Sequence, residues 1–398
     1  MKRRPQWIPV LVLLLLPILT ACGMDRFGAN GWSGLTIEAD TLYVASGEGH
    51  LVALDISGDA DDDRNYPAVI WGPFPPDEGK ELFGYEEDRF GAVYAAPLLG
   101  KFDADGVTGS PTVFLATYED PDTDDDVEAN LFAVDAATGF RNWSTSIPGR
   151  MVSSPTLVGN TLVLGTSDGS LYALALEAAE RSVPRAAWRS FEADGKIWSA
   201  ATASNGILYF GTLEHTVYAV NAADGKPVWD GEIKVGGAVV GSPLVLGETV
   251  YFGTLDRKIY ALDAATGKQK WQFQGDNWFW ASLASDGTNI YAATLGGTVY
   301  AIDLAGNEVW VTPQKVSGPI LATPVVLSNT LIVATNEKQI HQLNLSDGRE
   351  EWHWAVGERV QADMVSQGER VYIMDIEGGV HALNTERRIK VWTYDSQK

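Results

Sequence analysis

The chain has 398 residues, 45% of them hydrophobic, and carries 52 Asp and Glu against 29 Lys and Arg, for a net charge of −23. That balance argues against nucleic-acid binding, which needs clustered basic residues, and against electrostatic adhesion to anionic lipid head groups. The single cysteine, Cys22, rules out a disulfide framework or a thiolate metal site.

At the amino end, Lys2, Arg3 and Arg4 precede an apolar run from Ile8 to Leu19, closed by Leu19-Thr20-Ala21-Cys22. The run is too short for an ordinary membrane-spanning helix and suits a secretory signal peptide over residues 1–22, followed by a tether over 23–31. Its ending resembles the bacterial lipobox, whose cysteine becomes the lipid-carrying first residue. Acyl chains on Cys22 would hold the remaining chain at a membrane surface without crossing it.

From residue 32 to 395 the chain repeats one unit. Its clearest copy is IYALDAATGKQKW (Ile259 to Trp271), a strand, a turn at Asp263 and Thr266-Gly267, and a second strand. Related copies end at Trp71, Trp143, Trp188, Trp229, Trp310, Trp352 and Trp392. A tryptophan about every 40 residues, with several short strands between, is the signature of a β-propeller. One full repeat parses as VVGSPLVLG, ETVYFGTLD, RKIYALD and KQKWQF, from Val239 to Phe273. The prediction is an all-β fold: an eight-bladed β-propeller of four-stranded antiparallel blades. Seven blades with an irregular cap is the alternative count. The last repeat contains four strands of its own, so no amino-terminal strand is needed to complete it.

Alternating strand directions place the first–second and third–fourth turns of every blade on one face of the ring. The second–third turns and the blade-to-blade links fall on the other. Four insertions interrupt the first two blades. Those after Gly58 and around Asp103-Ala-Asp-Gly106 belong to the first face; the link Pro75 to Arg89 and the stretch Glu119 to Asp126 belong to the second. Irregular loops on a rigid frame are where binding tends to reside, and Phe83 and Tyr85 offer apolar anchors amid acidic neighbours. Asp59, Asp61 and Asp63 alternate, as do Asp120, Asp122, Asp124 and Asp126, which is partial EF-hand spacing. Both stretches lack the glycine and glutamate that complete such a loop, so solvated acidic loops are expected, with Ca²⁺ as the sharper reading.

The residue ten before the tryptophan is small at Ala133, Ala219 and Ala261, which leaves room for an indole packed across it. The eight tryptophans are therefore expected to be structural. The five histidines, His50, His215, His341, His353 and His381, show no metal-ligand spacing. No Gly-x-Ser-x-Gly elbow or phosphate-cradling glycine loop is present.

The pattern Ala-x-Asp-Ala-Ala-Thr-Gly-x-x-x-Trp, at Ala133 to Trp143 and Ala261 to Trp271, resembles the tryptophan-docking repeat of pyrroloquinoline-quinone (PQQ) propellers. Two functional groups share it. Quinoprotein dehydrogenases hold PQQ and calcium at the axis and use a vicinal cysteine pair, which is missing from this sequence. BamB-like lipoproteins bind no PQQ and act as scaffolds in β-barrel assembly at the outer membrane. The resemblance to the BamB-like group implies a non-catalytic, lipid-anchored protein with no cofactor, whose partner is an envelope protein of barrel assembly. A quinoprotein-like enzyme, and a surface propeller binding another envelope protein or polymer, are the alternatives. Gly23 after the cysteine, in place of the aspartate of inner-membrane retention, implies the outer membrane, or the cell surface where only one membrane exists.

Overall fold

A computed structural model describes residues 34–46, 49–58, 67–74, 93–101, 111–118, 128–176 and 183–396. Among these residues there is no helix, and the strands form eight four-stranded sheets, each built from consecutive strands. The expected eight-bladed propeller is what the chain adopts, and the seven-blade count is set aside.

Blade 1 comprises β1 (Leu35–Glu38), β2 (Thr41–Ala45), β3 (Leu51–Asp55) and β4 (Ala68–Phe74). Blade 2 runs from Leu98–Gly100 to Arg141–Pro148, blade 3 from Thr156–Val158 to Arg185–Glu192, and blade 4 from Thr202–Ser204 to Ile233–Lys234. Blade 5 runs from Leu244–Leu246 to Gln269–Gln274, blade 6 from Ala284–Ser285 to Gln314–Lys315, blade 7 from Val325–Val326 to Glu350–Ala355, and blade 8 from Val365–Gln367 to Ile389–Asp395.

The second strands read TLYVA, TLVLG, ILYFG and TVYFG, and all but their first residues are buried. A strand covered on both faces needs no polar alternation. Each core accordingly lies between two blades: Val239, Val250, Phe252 and Leu262 of the fifth repeat pack with Tyr209, Val217 and Trp229 of the fourth. The ring closes in the same way. Leu35, Leu42, Val44 and Leu54 of blade 1 share a core with Tyr372, Met374 and Val380 of blade 8. Polar bonds cross this seam from Gln367 Nε2 to Ala39 O (2.7 Å) and from Arg370 to Ile56 O and Gly58 O (3.2 and 3.0 Å).

Two sequence expectations need correction. The first strands are shorter than VVGSPLVLG implies; in blade 5 only Leu244–Leu246 pairs. Pro243 has no N–H to offer a ladder, and a Cβ at Gly241 would meet the Ala281 carbonyl at 2.7 Å, so this stretch runs against the next blade. In blades 4 and 6 the tryptophan lies outside the outer strand: Trp229 and Trp310 precede the two-residue strands Ile233–Lys234 and Gln314–Lys315. Residues 1–22, 23–31, Cys22, Phe83, Tyr85, Asp59, Asp61, Asp63, Asp120, Asp122, Asp124 and Asp126 lie outside the described residues.

Candidate binding faces and the axial channel

The turn between the third and fourth strands is built by its own sequence. In blade 2, Asp135 Oδ1 accepts bonds from Ala137 N (3.1 Å), Thr138 N (2.8 Å) and Thr138 Oγ1 (2.6 Å). Asp263 accepts the same pair from Thr266 in blade 5. Gly139 and Gly267 follow at φ 74 and 71, a left-handed conformation that costs glycine little.

That turn receives the tryptophan of the preceding blade. A Cβ on Gly348 would lie 2.5 Å from Trp310, so only hydrogen leaves room for the indole to lie flat. Trp310 Nε1 then donates to Leu345 O at 2.9 Å. Trp71, Trp188, Trp229 and Trp271 make the equivalent bond to Ala136, Ala222, Ala264 and Leu304, at 2.8–3.1 Å. The alanine ten residues earlier is the indole's cross-strand partner at Ala133↔Trp143 and Ala261↔Trp271. Trp143 is buried, at 5% exposure. Trp352 differs: it is 45% exposed, its partner is Gln342, and Arg388 lies 5.7 Å over its ring. Trp392 packs into the closing seam beside Tyr372, with ring centroids 5.8 Å apart.

The opposite face carries a second repeat. Asp194, in the link entering blade 4, accepts from Thr216 Oγ1 (2.5 Å) and Thr212 Oγ1 (3.1 Å) and pairs with Lys234. Asp276, entering blade 6, does the same with Thr298 (2.5 Å), Thr294 (3.2 Å) and Lys315 (3.7 Å). Burial pushes both carboxyls up, but the lysine and hydroxyl partners outweigh it and hold them below the usual range. Tyr218, Tyr260 and Tyr300 accept bonds from Asp194 N, Gly236 N and Asp276 N at 3.1, 3.0 and 2.9 Å. Burial pushes the Tyr218 and Tyr260 hydroxyls up to about 12, so they stay protonated at neutral pH.

The histidines serve the frame. His381 Nε2 meets Asp375 Oδ2 at 2.8 Å with both groups buried, and His353 Nδ1 meets Glu350 at 2.8 Å. Burial lowers the His341 pKa against the opposing pull of Glu350, 3.4 Å away. His50 is buried, and His215 occupies a tight turn at φ 66. Among the described residues, no three His, Cys, Asp or Glu are placed to hold a metal.

The strand ends flanking residues 59–66 and 102–110 lie on the tryptophan-docking face, and those flanking 75–92 and 119–127 on the face of the Asp-Thr-Lys clasps. A third region is the axis. Residues from all eight repeats line a cavity of about 150 Å³. They belong to a five-residue motif before each first strand, including VYAAP (Val93 to Pro97), IWSAA (Ile197 to Ala201), FWASL (Phe279 to Leu283) and VQADM (Val360 to Met364). Its first residue is buried between blades, as Val93, Ile197, Phe279 and Val360 are at 0% exposure. The second and fourth face the cavity. Sequence reading merged this motif with the first strand; its recurrence at the tryptophan period was the signal that separates the two.

The family model described as outer membrane protein assembly factor BamB matches residues 98–196, 184–313 and 295–398. The chain belongs to the BamB family. It is 31% identical to the outer membrane protein assembly factor BamB of Salmonella typhimurium over 281 residues, 63% of this chain and 69% of that protein. A tetrathionate hydrolase of Acidithiobacillus ferrooxidans is 26% identical over 193 residues, 47% of this chain and 35% of the hydrolase. Among solved structures, BamB from Moraxella catarrhalis superposes with a TM-score of 0.65 at 15% identity, covering 88% of this chain and 95% of that one. The computationally designed Ika8 protein gives 0.66 at 13% identity, over 89% and 96% of the two chains. These likenesses concern the fold; the family rests on the sequence matches.

Proposed function

We propose that this BamB-family chain is a non-catalytic scaffold, tethered through lipid on Cys22, that binds protein partners during assembly of β-barrels at the outer membrane. The observation that carries the reading is the family match, which runs from residue 98 to the carboxyl end and takes in seven of the eight blades. Among the described residues, indoles dock blades, carboxylates cap turns or clasp links, and His341, His353 and His381 meet carboxylates. A scaffold needs such a rigid frame with irregular loops attached, and four insertions interrupt the first two repeats. The partner face is taken to be the insertions of blades 1 and 2, with Phe83 and Tyr85 as apolar anchors. The hydrolase likeness spans about a third of that protein.

In-cell crosslinking of the full chain, followed by mass spectrometry of captured partners, tests this. Recovery of an outer-membrane barrel-assembly protein is expected. Recovery of only wall polymer, or of a complex unrelated to barrel assembly, contradicts the reading. A Cys22→Ser chain should leave the membrane fraction; its retention there would refute the lipid tether.

A further inference from the structure

We propose that the axial channel is a binding site for a small organic cation, whose ammonium head is held by Asp363 and flanked by the aromatic faces of Trp198, Trp280 and Tyr94. The site goes beyond scaffolding, since it lies at the axis rather than among the inserted loops.

The ring itself singles out Asp363. The fourth residue of the channel motif is Ala96, Ser154, Ala200, Ser242, Ser282 and Thr323 in blades 2 to 7, small and uncharged throughout. In blade 8 it is Asp363, the one charged group among the described residues lining the cavity. Architecture does not demand a charge here. Ser154 Oγ accepts Ala96 N at 3.1 Å, and Ser282 Oγ accepts Ser242 N at 2.9 Å, each tying one blade to the next. Asp363 Oδ1 fills the same role for Thr323 N at 2.6 Å. A hydroxyl would therefore suffice, and the second carboxylate oxygen is surplus to the inter-blade bond.

Asp363 is exposed to the cavity. The protein around the channel pushes its carboxyl pKa up, against the pull of the bonds from Thr323. No cation of the protein sits beside it among the described residues. A lone carboxylate in a confined site gains most from a cation brought by a ligand. The rest of the lining selects the kind of cation. Trp198, Trp280 and Tyr94 line the same cavity, and indole faces attract ammonium groups better than they attract hydrated metal ions. Ca²⁺ requires six to eight oxygens, typically from several carboxylates, which one aspartate among small residues does not provide. A cavity of about 150 Å³ has room for a short alkylammonium.

Titration of n-butylammonium chloride and of tetramethylammonium chloride into the full chain, at constant ionic strength and with calorimetric detection, tests the site. Saturable binding is expected for at least one of them, with shifts in the indole N–H resonances of Trp198 and Trp280. Asp363→Ser keeps the bond to Thr323 and removes the charge, so its melting should change little while affinity falls about tenfold or more. If that variant fails to fold, Asp363→Asn takes its place with the same expectation. Trp280→Leu should weaken binding by a smaller factor. Heats no larger than those of sodium chloride overturn the proposal, as does undiminished affinity in the folded Asp363 variant. Binding of calcium chloride that blocks n-butylammonium would make the site a metal site and overturn it equally.

Discussion

Blades 4 to 6 and the seam around blades 8 and 1 are the same fold held by different means. In blades 4 to 6 each joint repeats one device: an indole flat on a glycine of the next turn, an N–H bond to a carbonyl, and a tyrosine hydroxyl receiving a link amide. Trp229 on Gly267 and Trp271 on Gly306 are nearly interchangeable. Where blade 7 meets blade 8 the glycine is replaced: the turn after Asn384 contains Arg387 and Arg388, and a guanidinium covers a half-exposed Trp352. Where blade 8 meets blade 1, Arg370 and Gln367 reach across to backbone carbonyls. Both kinds of joint bury an apolar core, but the 8–1 seam adds bonds from the long side chains of Gln367 and Arg370 to backbone carbonyls. The difference predicts where the ring opens first.

The largest effect should come from breaking a repeated joint. Trp310→Ala removes an indole 3% exposed and its bond to Leu345, and should cost about 3–5 kcal/mol in urea denaturation. Gly348→Ala should follow at about 1–3 kcal/mol, because its φ of 75 and the 2.5 Å approach of Trp310 oppose any Cβ. Gly247→Ala, at φ 56 with open space around it, should cost less than Gly348→Ala. Equal losses at the two glycines would show that backbone conformation, and not the indole, sets the requirement.

At the seam, Arg370→Ala should cost about 1–2 kcal/mol and speed amide exchange in Leu35–Glu38 and Val365–Gln367 while blades 4 to 6 stay protected. Uniformly faster exchange would mean that the ring unfolds as one unit. The clasps add a pH dependence. Asp194 and Asp276 have lowered pKa values in the fold, so their stabilisation is full above the ordinary carboxylate range and is lost as pH falls through the lowered values. Asp276→Asn should therefore flatten the acid limb of a melting-temperature profile. The smallest effect is expected at Trp352→Ala, within about 1 kcal/mol, since the ring is 45% exposed and its aromatic face is covered by a water-accessible guanidinium.

Much of this frame was legible in the sequence because its devices are local. The Asp-x-x-Thr-Gly turn carries its own hydrogen bonds, and an alanine ten residues before a tryptophan fixes a cross-strand pair through turn length alone. The channel motif was harder to see. Its residues meet only when eight repeats close on a common axis, so no stretch of sequence shows that Asp363 stands where the other repeats have a small uncharged residue. The Asp-Thr-Lys clasps were missed for a related reason: Asp194 and Lys234 are joined across a whole blade. The short outer strands of blades 4 and 6 escaped because the tryptophan, which marks the fourth strand elsewhere, there lies in the bend before it. The candidate partner loops carry no periodic signal, since Phe83 and Tyr85 belong to no repeat.

The most direct test of the account places a photoreactive amino acid at Phe83 or Tyr85, and in a separate chain at Val311, a fully exposed residue of the repetitive region. The account predicts that irradiation of cells joins positions 83 and 85 to a barrel-assembly protein, while position 311 yields little. Capture of that protein from position 311 alone would contradict it, placing the binding face on the regular blades.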